Sequence, residues 1–292
     1  MKKTLKSIYD VIPLKKNVFS FAKNFVSPSE RIHKHLHFKG NIRIPIDREY
    51  SFKVRHHGYE VENSLFWAGI GRGWEKVSLS LWVKLVRDAN VIFDIGANTG
   101  VYSLIAKSLN PNAQVYAFEP VARVFEKLEY NIKLNDFDVV CLDSAASNTD
   151  GTATIYDTSE EHTYSVTVNE NLNANNIAVV PTTIKTVRLD TIIKSNQIEK
   201  VDLIKIDVET HEAEVIEGLG EYLEKFKPTM LVEILNDEVG RKVQALVDNK
   251  GYAYFNLDEE TGSIRRVDEI IKSDYFNYLF CSEEMAEKIL EK

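Results

Sequence analysis

The chain has 292 residues, 44% hydrophobic and 27% charged, the proportions of an ordinary globular protein with room for one or two domains. Its formal net charge of −8 argues against a general nucleic-acid binder, because neutralising phosphates takes a basic surface. The charge is uneven: residues 1–40 hold nine Lys or Arg against Asp10 and Glu30, a net of +7, which leaves −15 on the remainder. A basic arm on an acidic body suits peripheral contact with an anionic membrane or an acidic partner, and it equally suits a solvated helix. Cys141 and Cys281 each sit in an apolar run and read as free thiols of a reducing compartment. No apolar stretch approaches the roughly 20 residues needed to span a bilayer. The N-terminus also lacks the apolar core and cleavage site of a signal peptide, so a cytoplasmic location is expected.

Leu5, Ile8, Tyr9 and Ile12 fall at helical spacing before Pro13, and Val18, Phe21, Ala22 and Phe25 suggest a second short amphipathic helix. Residues 41–66 read as two short strands around Asp47-Arg48-Glu49. Gly69, Gly71 and Gly73 then make a loop with glycine hinges that could serve as a lid, before a helix from about Glu75 to Arg87. His33, His35 and His37 alternate without zinc-like spacing and read as surface residues. From Val91 the rhythm becomes strand, helix, strand: Val91–Phe93, a helix at Val101–Leu109, Val115–Phe118, a helix after Pro120 and Val139–Leu142. Short apolar runs between amphipathic helices mean a parallel sheet covered on both faces. Residues 151–189 break that rhythm as an inserted β-hairpin whose tip is rich in Asn (Asn169, Asn171, Asn173, Asn175, Asn176). Val201–Ile206 and Thr229–Leu235 resume the sheet, and Tyr252–Leu257 with Phe276–Cys281 close it as an antiparallel pair. Two parts follow: an extension at 1–88 with the basic helical arm, short strands and lid loop, and a cofactor-binding domain at 89–292.

The turn after the first parallel strand reads Asp94-Ile-Gly96-Ala-Asn98-Thr-Gly100. Glycines there let the backbone approach a ligand, and the following helix N-terminus offers free N–H groups to an anion. Glu119 ends the second strand, where a carboxylate can accept hydrogen bonds from both hydroxyls of a ribose. Any adenosine-bearing cofactor suits that pair. The dinucleotide fingerprint Gly-x-Gly-x-x-Gly is not met, since Asn98 replaces its second glycine and Val101 its third. Asp94 would repel a pyrophosphate but receive an ammonium, which favours the amino-acid tail of S-adenosyl-L-methionine. A nicotinamide oxidoreductase remains the weaker alternative.

Four blocks occur in order: Ile92-Phe-Asp-Ile-Gly-Ala-Asn-Thr-Gly-Val-Tyr-Ser, Ala117-Phe-Glu-Pro120, Lys205-Ile-Asp-Val-Glu209 with Glu212, and Leu231-Val-Glu233-Ile. Together they resemble the FkbM-type methyltransferases over about residues 90–282. The resemblance implies an α/β, Rossmann-like class I methyltransferase fold: a mostly parallel seven-stranded sheet with helices on both faces, here with the inserted β-hairpin and the N-terminal helical and strand extension. It also implies S-adenosyl-L-methionine as donor and O-methylation of sugars or other small metabolites. The family usually has glycine where this chain has Thr210. Threonine is a good helix N-cap, so the exchange reads as structurally easy, though it would narrow the space beside the cofactor.

In an open α/β sheet the ligand lies beyond the carboxyl ends of the strands, where Asp94, Glu119, Asp143, Asp207 and Glu233 fall. Asp143 and Ala145 would border the adenine, by analogy with third-strand loops of this fold. Methyl transfer needs a positioned acceptor and a proton acceptor, for which Glu209, His211 and Glu212 are the candidates beside Asp207. Lys205 inside an apolar strand needs an acid partner, either Asp207 on its own face or Glu233 on the neighbouring strand, and is otherwise a catalytic lysine. Asp207 and Glu233, with Asn236 or Asp237, also offer oxygen ligands to a divalent metal, in an arrangement that catechol-type O-methyltransferases resemble; a metal is the less favoured reading. The expected acceptor is a small molecule or glycan precursor. N-methylation and a non-catalytic cofactor-binding protein are the alternatives, and the acids beyond the fourth and fifth strands favour an enzyme.

Overall fold

In the computed structural model, which describes residues 14–158 and 179–290, the chain forms two compact units, Met1–Lys76 and Val77–Lys292. The helix expected at Leu5–Ile12 and the Asn-rich hairpin tip lie outside the described residues. In the first unit, α1 (Lys15–Ala22) and α2 (Glu30–His33) precede the antiparallel pair β1 (Gly40–Pro45) and β2 (Ser51–His56). Alternation sends Ile42, Ile44, Phe52 and Val54 inward and Arg43, Lys53 and Arg55 outward. The Asp47 carboxylate closes the turn by accepting the N–H groups of Glu49 and Tyr50, both at 2.8 Å.

The sequence reading of residues 41–66 missed a helix, α3 (Glu60–Trp67). Its polar residues Glu62, Asn63 and Ser64 are buried beside Leu65, Phe66 and Trp67, so no polar face marks it in the sequence. His33 was read as a surface residue and is buried, carried inward by α2. Asn63 Nδ2 donates to the His33 carbonyl at 2.6 Å, which ties the end of α2 to α3. The Gly69–Glu75 loop is folded back on α3: Trp74 N–H donates to Ser64 Oγ and Arg72 Nε to the Ala68 carbonyl.

The second unit opens with α4 (Lys76–Leu85), whose buried Trp82 donates through Nε1 to the Tyr102 carbonyl at 3.0 Å. Then follow β3 (Val91–Ile95), α5 (Val101–Leu109), β4 (Gln114–Phe118), α6 (Ala122–Leu134), β5 (Val139–Leu142), β6 (Ala145–Ser147), β7 (Gly151–Thr158), β8 (Val179–Arg188) and α7 (Leu189–Ser195). The remainder is β9 (Leu203–Ile206), α8 (Glu212–Glu217), α9 (Tyr222–Phe226), β10 (Thr229–Glu233), α10 (Asp237–Val247), β11 (Ala253–Leu257), β12 (Ile264–Val267), β13 (Asn277–Cys281) and α11 (Glu283–Leu290). The main sheet runs β12-β11-β13-β10-β9-β3-β4-β5, parallel from β10 to β5 and antiparallel beyond.

The sheet has eight strands where seven were expected. The extra one, Ile264-Arg-Arg-Val, lies at the edge beside β11, and its two arginines hide the apolar pattern while discouraging further pairing. All five residues of β3 are buried, as a strand covered on both faces requires. Phe93, Ile95, Phe118, Ile204, Ile206 and Val232 pack on one side with Ile193, Val215, Ile216 and Val243 from the helices. The inserted hairpin is confirmed: β7 and β8 pair antiparallel from Gly151–Thr186 to Thr158–Val179, and β8 also pairs with β6. Both thiols are free, and burial pushes Cys141 and Cys281 up to about 12, so neither is reactive near neutral pH. Among the described residues no helix is long and apolar enough to cross a membrane.

His56 gives the first unit a pH dependence. Its Nδ1 accepts the Gly58 N–H at 2.9 Å and its Nε2 lies 3.3 Å from Asn63 Oδ1, a pair of bonds that requires the neutral Nε2–H tautomer. Burial, with His37 and His57 nearby and Asn63 opposing, pushes its pKa down to about 4. A depressed histidine stabilises the fold above its unfolded pKa and loses that contribution as pH falls towards the folded one. Denaturant titrations at pH 7 and 4.5 should therefore differ by about 2–3 kcal/mol more in the native protein than in His56→Gln.

Candidate functional site

Strand order fixes where a ligand can sit. The chain leaves β3 for β4 on one side and later returns to β9 on the other, so the crossovers diverge and a crevice opens beyond the carboxyl ends of β3 and β9. The Asp94–Gly100 turn lies there, with Gly96, Asn98 and Gly100 all in the left-handed region at φ 73°, 53° and 89°. Gly96 and Ala97 donate N–H groups to the Phe118 carbonyl at 3.0 and 2.9 Å, which ties the turn to the end of β4. A Cβ on Gly96 would stand 1.8 Å from the Asp207 carbonyl oxygen, so the turn touches the end of β9 backbone to backbone.

Glu119 is buried, its Oε2 accepting the Asn98 N–H at 3.1 Å and its Oε1 the Val121 N–H at 2.9 Å. A carboxylate has room for further donors on both oxygens, as two ribose hydroxyls require. Burial raises Glu119 to about 7, against those two bonds and the charge of Arg123. Asp94 is wholly buried. Its Oδ2 accepts both the N–H and the hydroxyl of Ser103, at 2.9 and 2.6 Å, anchoring the first turn of α5. Its Oδ1 has no partner. A buried acceptor left open at the foot of a glycine loop fits an ammonium group. Ser103 was not singled out from sequence; its place three residues after Gly100, in the first turn of the helix, was the available signal.

The parallel register sets Lys205 directly beside Asp94. Lys205 Nζ pairs with Asp207 Oδ2 at 2.7 Å and lies 5.0 Å from the centroid of the Tyr102 ring. Of the two acids offered as its partner, Asp207 forms the ion pair, and Glu233 lies beyond it on the neighbouring strand. Burial and the charges of Asp207 and Glu209 push Glu233 far above the ordinary carboxyl range, so it keeps its proton. Asp207 and Glu233 have oxygens within 4.8 Å of each other. The other two metal-ligand candidates are engaged elsewhere: Asn236 Oδ1 caps α10 on the Val239 N–H at 2.9 Å, and Asp237 accepts the Lys272 N–H at 2.8 Å. Of the four, Asp207 and Glu233 are left with oxygens near one another, and Lys205 already pairs with Asp207.

Beyond β9 the backbone turns sharply, with Glu209 at φ 55° and Thr210 at φ 83°. Thr210 is not the helix N-cap; His211 takes that place, and Thr210 holds a left-handed conformation costly for a β-branched residue. The exchange for glycine is therefore strained, not easy. Glu212 holds this turn: it is buried, and its Oε1 accepts the N–H groups of Val208 and Thr210 at 3.3 and 3.1 Å. Burial raises Glu212 to about 7. His211 faces the hairpin sheet, with Nε2 at 3.0 Å from Ser147 Oγ and Nδ1 at 3.6 Å from Glu214, and burial lowers its pKa. Glu212 and His211 thus brace the turn that carries Glu209. Asp143, at the exit of β5, is exposed and pairs with Lys185 of β8 at 2.6 Å, while Ala145 starts β6 opposite Thr186. Glu119 N–H donates to the Leu142 carbonyl, so the Asp143 loop adjoins the ribose-clamp position.

Residues 94–270 match the methyltransferase FkbM domain. The chain is 27% identical over 198 residues to the hexuronic acid methyltransferase AglP of Haloferax volcanii, covering 67% of this chain and 76% of that protein. It is 27% identical over 188 residues to the methyltransferase sdnD of Sordaria araneosa, covering 55% of this chain and 73% of that one. Among solved structures, the methyltransferase FkbM of Methylobacillus flagellatus is similar at a TM-score of 0.40 and 14% identity, over 66% of this chain and 44% of that chain.

The strain at Thr210 has a measurable sign. Thr210→Gly should raise stability by about 1 kcal/mol, read as an upward shift in the thermal midpoint, because relief of a left-handed threonine outweighs the added chain freedom. An unchanged or lower midpoint would remove the strain from the account.

Proposed function

We propose, from the premise that this chain belongs to the family of the methyltransferase FkbM domain, that it transfers a methyl group from S-adenosyl-L-methionine to a hydroxyl of a sugar or other small metabolite. The single observation that carries this reading is the charge of the crevice. Asp94, Glu119, Glu212 and the protonated Glu233 all lie in the field of Asp207, Glu209 adds its charge beside Glu233, and Lys205 is the ammonium paired with Asp207. A pyrophosphate would be repelled there, whereas a sulfonium with an amino-acid tail is drawn in. Asp94 Oδ1 would take the cofactor's ammonium, the N–H groups of the turn its carboxylate, and Glu119 its ribose hydroxyls. The sugar assignment rests on the hexuronic acid methyltransferase among the relatives.

Bound, the cofactor supplies an electrophilic methyl group that an acceptor oxygen displaces in line. The chain then has to orient that oxygen and take its proton. Glu209 is the proton acceptor in this reading. It stands just beyond the fourth parallel strand, on a turn that Glu212 braces, and its charge reaches the Asp207–Glu233 pair. Asp207, held by Lys205, positions the acceptor hydroxyl.

Calorimetry with S-adenosylmethionine, S-adenosylhomocysteine and NAD tests the cofactor: the first two should bind, and binding of NAD alone would overturn the reading. Because the ionised form of Glu119 is the one that accepts two hydroxyls, affinity should weaken by about tenfold per pH unit below 7 and level off above it. Glu119→Gln should flatten that profile. Turnover is followed by mass spectrometry of neutral sugars and uronic acids incubated with labelled cofactor. Glu209→Gln should lower kcat about a hundredfold or more and leave cofactor affinity unchanged; lost affinity would place Glu209 in the cofactor site instead.

A further inference from the structure

The first unit displays an apolar stripe to solvent. Leu14, Val18, Phe21 and Phe25 follow one another at intervals of four, three and four residues, one line along α1 and the turn that extends it. Phe21 and Phe25 are 68% and 72% exposed, and their rings lie 5.0 Å apart. The opposite side of α1 is fixed to its own unit, Phe19 meeting the Phe38 and Trp67 rings at 5.9 and 5.6 Å and Lys23 lying 4.9 Å from the Phe66 centroid. The helix is therefore held with its apolar edge outward, and Val26 and Ile32 add exposed apolar surface beyond it.

What covers this stripe follows from charge. Arg31, Lys34 and Lys39 are exposed and Lys15 and Lys16 open the helix, with Glu30 as the one acid over residues 14–40, and the sequence before it adds Lys2, Lys3 and Lys6 against Asp10. A second copy would bring another +7 against the first, so self-association is opposed by repulsion. An anionic bilayer satisfies both features, because lysines gain energy at the lipid headgroups while phenylalanine rings enter the acyl boundary. Leu5, Ile8, Tyr9 and Ile12 also fall at helical spacing in the sequence just upstream. We infer that residues 14–40 form a peripheral docking surface for anionic lipid, with Phe21 and Phe25 as its inserted side chains.

Sedimentation of the full chain with vesicles tests this. Vesicles of phosphatidylcholine mixed with phosphatidylserine should carry the protein down at low salt, added salt should release it, and phosphatidylcholine alone should not retain it. The double variant Phe21→Asp and Phe25→Asp should lower partitioning by about a hundredfold, with its circular dichroism melt unchanged since both rings are exposed. Failure of the native chain to bind, or equal binding by the variant, overturns the inference. Light scattering that shows a dimer dissolved by the same substitutions would assign the stripe to a second copy instead. Retention on polyglutamate without vesicle binding would assign it to an acidic protein; either result also overturns the lipid assignment.

Discussion

The architecture of the crevice depends on how a single ammonium is shared. Lys205 lies beside Asp94 in the sheet register, pairs with Asp207 and reaches Glu233, so it offsets much of the negative charge at the ends of three adjacent strands. Carboxylates this close cannot all ionise: Asp207 takes the lysine, and burial with the neighbouring charges pushes Glu233 towards its protonated form. Removing Lys205 would leave buried acids without compensation, which is why a charged residue persists inside an apolar strand. The remaining imbalance is what a cationic ligand would complete.

Around that centre, the acids divide by what they touch. Asp94 spends one oxygen on the N–H and hydroxyl of Ser103, Glu212 spends one on two backbone N–H groups, and each keeps its other oxygen buried without a partner. Asp94 thereby fixes the first turn of α5, and Glu212 fixes the turn after β9. Glu119 spreads its bonds over both oxygens and links two loops. These arrangements hold the site's shape before any ligand arrives, so little reorganisation is left for binding to drive.

Much of this was legible in the sequence because parallel strands and glycine loops leave strong local signals. Val91–Phe93, Val115–Phe118 and Val201–Ile206 are short apolar runs, and Gly96, Gly100 and Glu119 recur at the spacing a nucleoside site demands. The hairpin at 151–188 stood out by its alternation. What escaped depended on partners distant in sequence. Glu62 and Asn63 lie in a stretch read as strand and are buried on a helix instead, and His33, read as a surface residue, is buried as well. Ile264–Val267 is concealed by two arginines. Thr210 looked harmless because its residue type says nothing of the dihedral it must adopt; only the turn geometry exposes the cost.

The contact between Gly96 and the Asp207 carbonyl has a consequence for assembly of the chain. The two residues are brought together by the pairing of β3 with β9, strands separated by more than a hundred residues that include the whole inserted hairpin. Neither half of the cradle can exist alone, so the pocket is completed only after that long-range pairing has formed. A cofactor that requires both halves would recognise the finished sheet and no earlier species, and its binding energy would be added to the native state alone. The ligand would thus act as an inspector of its own binding site, holding in place chains that have closed the sheet correctly.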